Sequence, residues 1–139
     1  MDNQRAKRVF DKMMENDHCS RWLGIELLEI REGFCRLQMK VRKEMLNGFG
    51  TLHGGMAFSL ADSTLAFASN SYGKISPLIN GSMNYSKAAK EGDVLIAEAN
   101  VFSISNKKAD IDVTIFKKGE EAAFYFMRGT VYRTSKEFE

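Results

Sequence analysis

The 139-residue chain is 44% hydrophobic and 27% charged, with 20 Lys and Arg against 18 Asp and Glu for a net charge of +2. These values exclude a disordered polymer and suit one domain with a substantial core, while the near-neutral balance gives no basic footprint for nucleic acid. Two cysteines and two histidines supply neither a disulfide framework nor a zinc-ligand spacing, so no metal site is expected.

The first residues mix charge throughout and lack the apolar segment and cleavage signal of a secretory leader, so a cytoplasmic location with reduced thiols is expected. Val9, Phe10, Met13 and Met14 recur at helical spacing among charged residues. They predict an amphipathic helix over about residues 3–17, capped by Asp2 or Asn3. Residues 22–30 and 34–41 read as two strands joined at Glu32-Gly33, where glycine supplies the positive φ of a tight turn. A polar ordered loop follows over residues 40–50.

Residues 51–73 break the average composition: their one formal charge is Asp62, where the mean content would place about six. No run of about 18 apolar residues is present to span a membrane, so this stretch predicts a long enclosed helix over about residues 54–72, ended by Ser76-Pro77. Strands are then expected over residues 78–85 and 94–102. In the next strand Ala109, Ile111, Val113 and Ile115 alternate with polar residues, and a last one covers residues 122–132. Turns fall at Asn106-Lys107 and Lys118-Gly119. Consecutive strands with short connections predict an antiparallel meander packed on the long helix, an α+β fold occupying residues 1–139 as one domain.

Projected at 100° per residue from Gly54, residues Ser59, Asp62, Ser63, Ser69 and Asn70 share an arc of about 120°, and apolar side chains cover the rest except at Thr64. Such a helix is enclosed on most sides, with its hydroxyl stripe close to another polar or backbone surface. A mid-helix aspartate is ordinarily solvated, but a solvated face would carry more charges than Asp62 alone. His53-Gly54-Gly55 opens the helix, where the first amides have no intrahelical partner. Glycine there admits another molecule to the backbone, and the donors with the positive end of the helix dipole suit a developing negative charge. Glycines at a helix start also mark ordinary turns. Asp62 lies eight residues beyond Gly54, about 12 Å along the axis, too far for one carbonyl to touch both. An antiparallel copy of the helix across a two-fold axis would place a second chain's Asp62 opposite Gly54, which predicts an obligate dimer with two composite sites.

The run Asn47-Gly48-x-Gly50-Thr51-x-His53-Gly54-Gly55, followed by Leu60-Ala61-Asp62-Ser63 and Ala68-Ser69-Asn70-Ser71, resembles the signature of the hotdog-fold acyl-CoA thioesterases. The resemblance is to their PaaI-type branch, named for phenylacetate degradation. It implies a long helix wrapped by a curved antiparallel sheet, a homodimer and commonly a homotetramer, an acyl-CoA or aryl-CoA substrate, and no cofactor beyond the coenzyme A of that substrate. It further implies that the Gly54 amide, with that of Gly55, polarises the thioester carbonyl. Asp62 of the other subunit would act as general base or nucleophile, and Asn47 and His53 would orient the water or the carbonyl.

An aspartate shielded from solvent is a competent base for thioester hydrolysis, and direct attack to a mixed anhydride uses the same residue. Candidates for the coenzyme phosphates are Lys87, Lys90, Lys107, Lys108, Lys117, Lys118 and Arg128. Phe49, Met56, Phe58 and Tyr72 are candidates to line the acyl pocket, with Ser63 beside Asp62 and the polar group Asn80, Gly81, Ser82 and Asn84 at its border. Two other functions fit the same fold: hydration or dehydration of an acyl thioester by His53 and Asp62 as an acid/base pair, and non-catalytic acyl-CoA binding.

Overall fold

The computed structural model describes residues 3–138. Helix α1 (Asn3–Met14) turns Ala6, Val9 and Phe10 inward, and Phe10 meets Phe67 with ring centroids 4.6 Å apart. It stops at Met14, short of residue 17, and Asp2, one of the two expected caps, lies outside the described residues. A second helix, α2 (His18–Leu23), occupies the place expected for the start of a strand. Asp17 caps it by accepting the Ser20 amide at 2.9 Å, and Gly24 closes it in the left-handed region at φ 72°. Arg42 satisfies its last carbonyls, donating to Trp22 O at 2.6 Å and Leu23 O at 3.1 Å, with its guanidinium 4.7 Å from the Trp22 ring.

Strand β1 (Glu26–Arg31) therefore begins later than expected and pairs with β2 (Phe34–Lys40) across the Glu32-Gly33 turn. A 3-10 turn (Lys43–Met45) and an irregular loop lead into helix α3 (Gly54–Asn70). This helix ends at its own Asn70, ahead of Ser76-Pro77. The Asn70 carboxamide accepts the Ser76 amide at 2.8 Å and donates to the Ser76 carbonyl at 3.1 Å, folding the chain back before proline is reached. Thr64, the polar exception on the apolar face, is buried and donates to the Leu60 carbonyl at 2.7 Å.

Strands β3 (Leu78–Tyr85), β4 (Val94–Ile104), β5 (Lys108–Lys117) and β6 (Ala123–Tyr132) complete one six-stranded antiparallel sheet in the order β1-β2-β4-β5-β6-β3. This corrects the expected meander: β3 pairs with β6 and forms an edge, and β4 pairs with β2. The connection after β3 carries the chain from that edge back to the interior of the sheet. In β5 the alternation is as expected, with Ala109, Ile111, Val113 and Ile115 all buried. Helix α3 lies across β2, β4 and β5, burying Leu60, Leu65 and Phe67 in the core. Its seat against β6 depends on Gly129, where a Cβ would stand 2.7 Å from Leu65 Cδ1 and 3.2 Å from the Asn80 carbonyl oxygen. Among the described residues, no helix is long and apolar enough to cross a membrane.

Candidate active site

The loop before α3 is organised by Asn47. Its side-chain oxygen accepts the amides of Phe49 at 2.9 Å and Thr51 at 3.1 Å and the Thr51 hydroxyl at 3.3 Å. That oxygen is committed to the loop, which leaves only the Asn47 NH₂ group to meet a substrate. His53 is the N-cap of α3, and its Nδ1 accepts the Gly55 amide at 2.8 Å. A neutral imidazole that accepts at Nδ1 carries its proton on Nε2, so the outer edge of His53 is a hydrogen-bond donor. Gly55 is thus occupied, contrary to the expectation of a second open donor, whereas among the described residues the Gly54 amide has no acceptor.

Gly54 lines a cavity of about 290 Å³ together with Asn47, Thr51, Tyr85 and Lys87. The Tyr85 hydroxyl, which sequence reasoning missed, donates to the Gly54 carbonyl at 3.4 Å, and its ring would lie 3.3 Å from a Cβ at Gly54. Of the basic candidates, Lys87 alone is among the residues of this cavity. Arg128 is held by Asp112 through bonds of 2.6 and 2.9 Å, Lys117 by Asp93 at 3.3 Å, and Lys107 borders a different hollow with Arg133.

Asp62 is half-buried on α3 and lines a separate cavity of about 530 Å³ with Asp17, Leu65, Pro77, Leu78 and Val131. Its carboxyl is pushed above the ordinary aspartate range, first by removal from water and then by the charge of Asp17. Ser63 shares a 2.8 Å hydrogen bond with Ser20 of α2, so part of the surface against the hydroxyl stripe comes from the same chain. Ser59 turns back to the Gly55 carbonyl at 2.8 Å, and Ser69 and Asn70 are buried. Gly54 and Asp62 thus border different cavities within one chain.

The candidates for the acyl pocket scatter. Met56 and Phe58 pack partly buried against the core, and Phe49 is 91% exposed. Tyr72 lies beyond the C-terminal end of α3, beside Gly33 and Arg133. Asn80, Gly81, Ser82 and Asn84 are exposed on edge strand β3. Cys35 is buried, which pushes its thiol pKa up, and Cys19 is exposed. Among the described residues, no group of three or more His, Cys, Asp and Glu is placed to hold a metal ion.

Residues 49–124 match the profile of the thioesterase superfamily. The sequence is 40% identical to a putative esterase of Archaeoglobus fulgidus over 98% of this chain and 88% of that protein. It is 35% identical to acyl-coenzyme A thioesterase PaaI of Escherichia coli over 87% of this chain and 86% of that one. The crystal structure of the E. coli PaaI protein, from the phenylacetic acid degradation operon, superposes with a TM-score of 0.94 at 31% identity and 97% coverage of both chains. A hypothetical thioesterase of Streptococcus pneumoniae, solved with coenzyme A, superposes with a TM-score of 0.78 at 27% identity, covering 81% of this chain and 90% of its own.

Proposed function

Because the chain belongs to the thioesterase superfamily and has its hotdog fold, we propose that it hydrolyses acyl-CoA or aryl-CoA thioesters at sites shared by two subunits. The observation that carries this reading is the separation of the open Gly54 amide and the desolvated Asp62 into two cavities of one chain. Strand β3 supports the pairing: its outer edge has no partner strand among the described residues, and it exposes Ile79. Exposed strand edges invite a second strand, and two copies joined there about a two-fold axis would bring their α3 helices antiparallel.

The thioester carbonyl sits between the Gly54 amide of one subunit and the Asp62 carboxylate of the other. Asp62 takes a proton from water as the water oxygen bonds to the carbonyl carbon. The oxyanion is stabilised by the Gly54 N–H and the helix dipole, with the His53 Nε2–H at its side. Collapse of the tetrahedral intermediate breaks the C–S bond, and the proton held by Asp62 passes to the departing thiolate. The acyl or aryl group occupies the mainly apolar cavity beside Asp62, and the coenzyme leaves along Lys87, whose ammonium is free of a carboxylate partner among the described residues. With Nδ1 engaged by the Gly55 amide and the proton on Nε2, the neutral His53 imidazole has no free lone pair to take a proton from substrate, which disfavours it as the base of the hydratase chemistry.

Subunit mixing tests the shared site. Asp62→Asn and Gly54→Val homodimers should each release little thiol from an acyl-CoA panel. Reassociated in equal amounts, half of the dimers are mixed and carry one intact site, so activity should return to about a quarter of the wild type. Failure of two folded, dimeric variants to complement would refute the composite site.

A further inference from the structure

Asp17 is a second carboxylate in the Asp62 cavity, and the hydrolytic reading above gives it no part. Its position is fixed from both sides. One oxygen accepts the Ser20 amide at 2.9 Å and the other the Ser20 hydroxyl at 2.7 Å, and that hydroxyl lies 2.8 Å from the hydroxyl of Ser63, the neighbour of Asp62 on α3. Ser20 is fully buried and Asp17 and Ser63 are half-buried, and this chain of hydrogen bonds ties the cap of α2 to the helix that carries the base. Among the described residues, the linings supplied by α1, α3, β3, β6 and the C-terminal segment bring no ionisable group to the cavity other than Asp62 itself. His18 and Cys19, in the first turn of α2, are exposed and outside it. Among the described residues, nothing in the cavity therefore offsets the charge of Asp17.

We propose that Asp17 is a positioning residue for the thioesterase reaction, held by Ser20 so that its fixed negative charge faces Asp62 across one cavity and makes that carboxylate a stronger base. The proposal rests on the reading of Asp62 as the base. Like charges confined together disfavour the second ionisation, which matches the upward displacement of Asp62 to which Asp17 contributes after burial. The proton that Asp62 accepts in the first step is then held more firmly than an isolated, solvated aspartate would hold it.

The test uses Asp17→Asn and Asp17→Ser, both of which keep a side chain able to cap α2. The Asp62 carboxyl is followed by carbon NMR against pH, with Asp62→Asn identifying its signal, and the acidic limb of the kcat profile is recorded in parallel. Both variants should lower the Asp62 midpoint and move the kcat limb down with it. An Asp62 midpoint that stays in place in both variants overturns the proposal, whatever the activity does. A midpoint that falls while the kcat limb stays still would show that Asp62 is not the base, overturning the hydrolytic reading and the positioning role with it.

Discussion

His53 and Gly55 are joined across the first turn of α3: the imidazole Nδ1 accepts the Gly55 amide at 2.8 Å. One bond caps the helix, sets the tautomer and leaves Gly54 as the open donor, so stability and catalysis meet in one side chain and can be separated by choice of substitution. His53→Ala removes the cap and should destabilise the protein by about 1 kcal/mol. His53→Asn restores a capping oxygen but removes the Nε2 donor. It should return the urea midpoint close to that of the parent while kcat stays at least about tenfold down, the scale of a lost hydrogen bond to a developing charge. Full recovery of kcat in the Asn variant would reduce His53 to a cap.

At Gly54 the expected loss is geometric. A methyl group would press on the Tyr85 ring from 3.3 Å, a contact the ring relieves by moving a few tenths of an ångström. Alanine is a better helix former than glycine, so Gly54→Ala should keep or slightly raise the melting temperature. Displacement of substrate from the amide should nevertheless cut kcat about tenfold. Tyr85→Leu in the same chain frees the space and should recover part of the loss; thermal melts and single-turnover rates on the two variants decide the matter.

Asp62 links pH to both rate and stability. Its folded-state pKa is raised by burial and by Asp17, so between the ordinary aspartate value and that raised value the folded protein binds more protons than the unfolded chain. Stability therefore falls as pH rises through this window, and the cost of the charged carboxylate is present in full above it. Asp62→Asn should melt at a higher temperature than the wild type near pH 7, with the gap closing at about pH 3, below both pKa values. The same substitution should lower turnover at least about a hundredfold. Calorimetry at the two pH values and a thiol-release assay read these effects separately.

Gly129 supplies a purely structural test. Its missing Cβ accommodates Leu65 of α3 and Leu78 of β3, which would lie 2.7 and 3.0 Å from that atom. Gly129→Ala should cost about 1–3 kcal/mol by overpacking. Leu65→Val beside it should recover part of that in denaturant titrations, and strict additivity of the two changes would argue against the contact.

Much of this arrangement is legible in the residues. The lone charge of residues 51–73 gave α3 within two residues at its end and singled out the carboxylate, because a helix wrapped on most sides has few places for charge. The alternation in β5 was equally plain. Helix α2 was hidden because six residues hold less than two helical turns and Trp22, Leu23, Ile25 and Leu27 also suit a strand; its signals were Asp17 three residues before Ser20, and Gly24. Strand order was hidden for another reason: β3 meets β6 through residues forty or more positions apart, and no local pattern encodes that choice. Tyr85 and Asp17 escaped notice on the same ground, since each acquires its meaning only beside a residue distant in sequence.

Arg42 bears on how the molecule comes apart. It follows β2 in the segment that leads to Asn47 and His53, yet its guanidinium closes α2 through the carbonyls of Trp22 and Leu23. The two ends of the proposed chemistry, the loop that presents the Gly54 amide and the helix capped by Asp17, are thereby anchored by a single side chain. Local opening of α2 deprives the loop of its tether, and opening of the loop uncaps α2, so their amides should exchange with solvent as one cooperative unit. A chain partly loosened by heat would then lose its contribution to both sites of the dimer in one event.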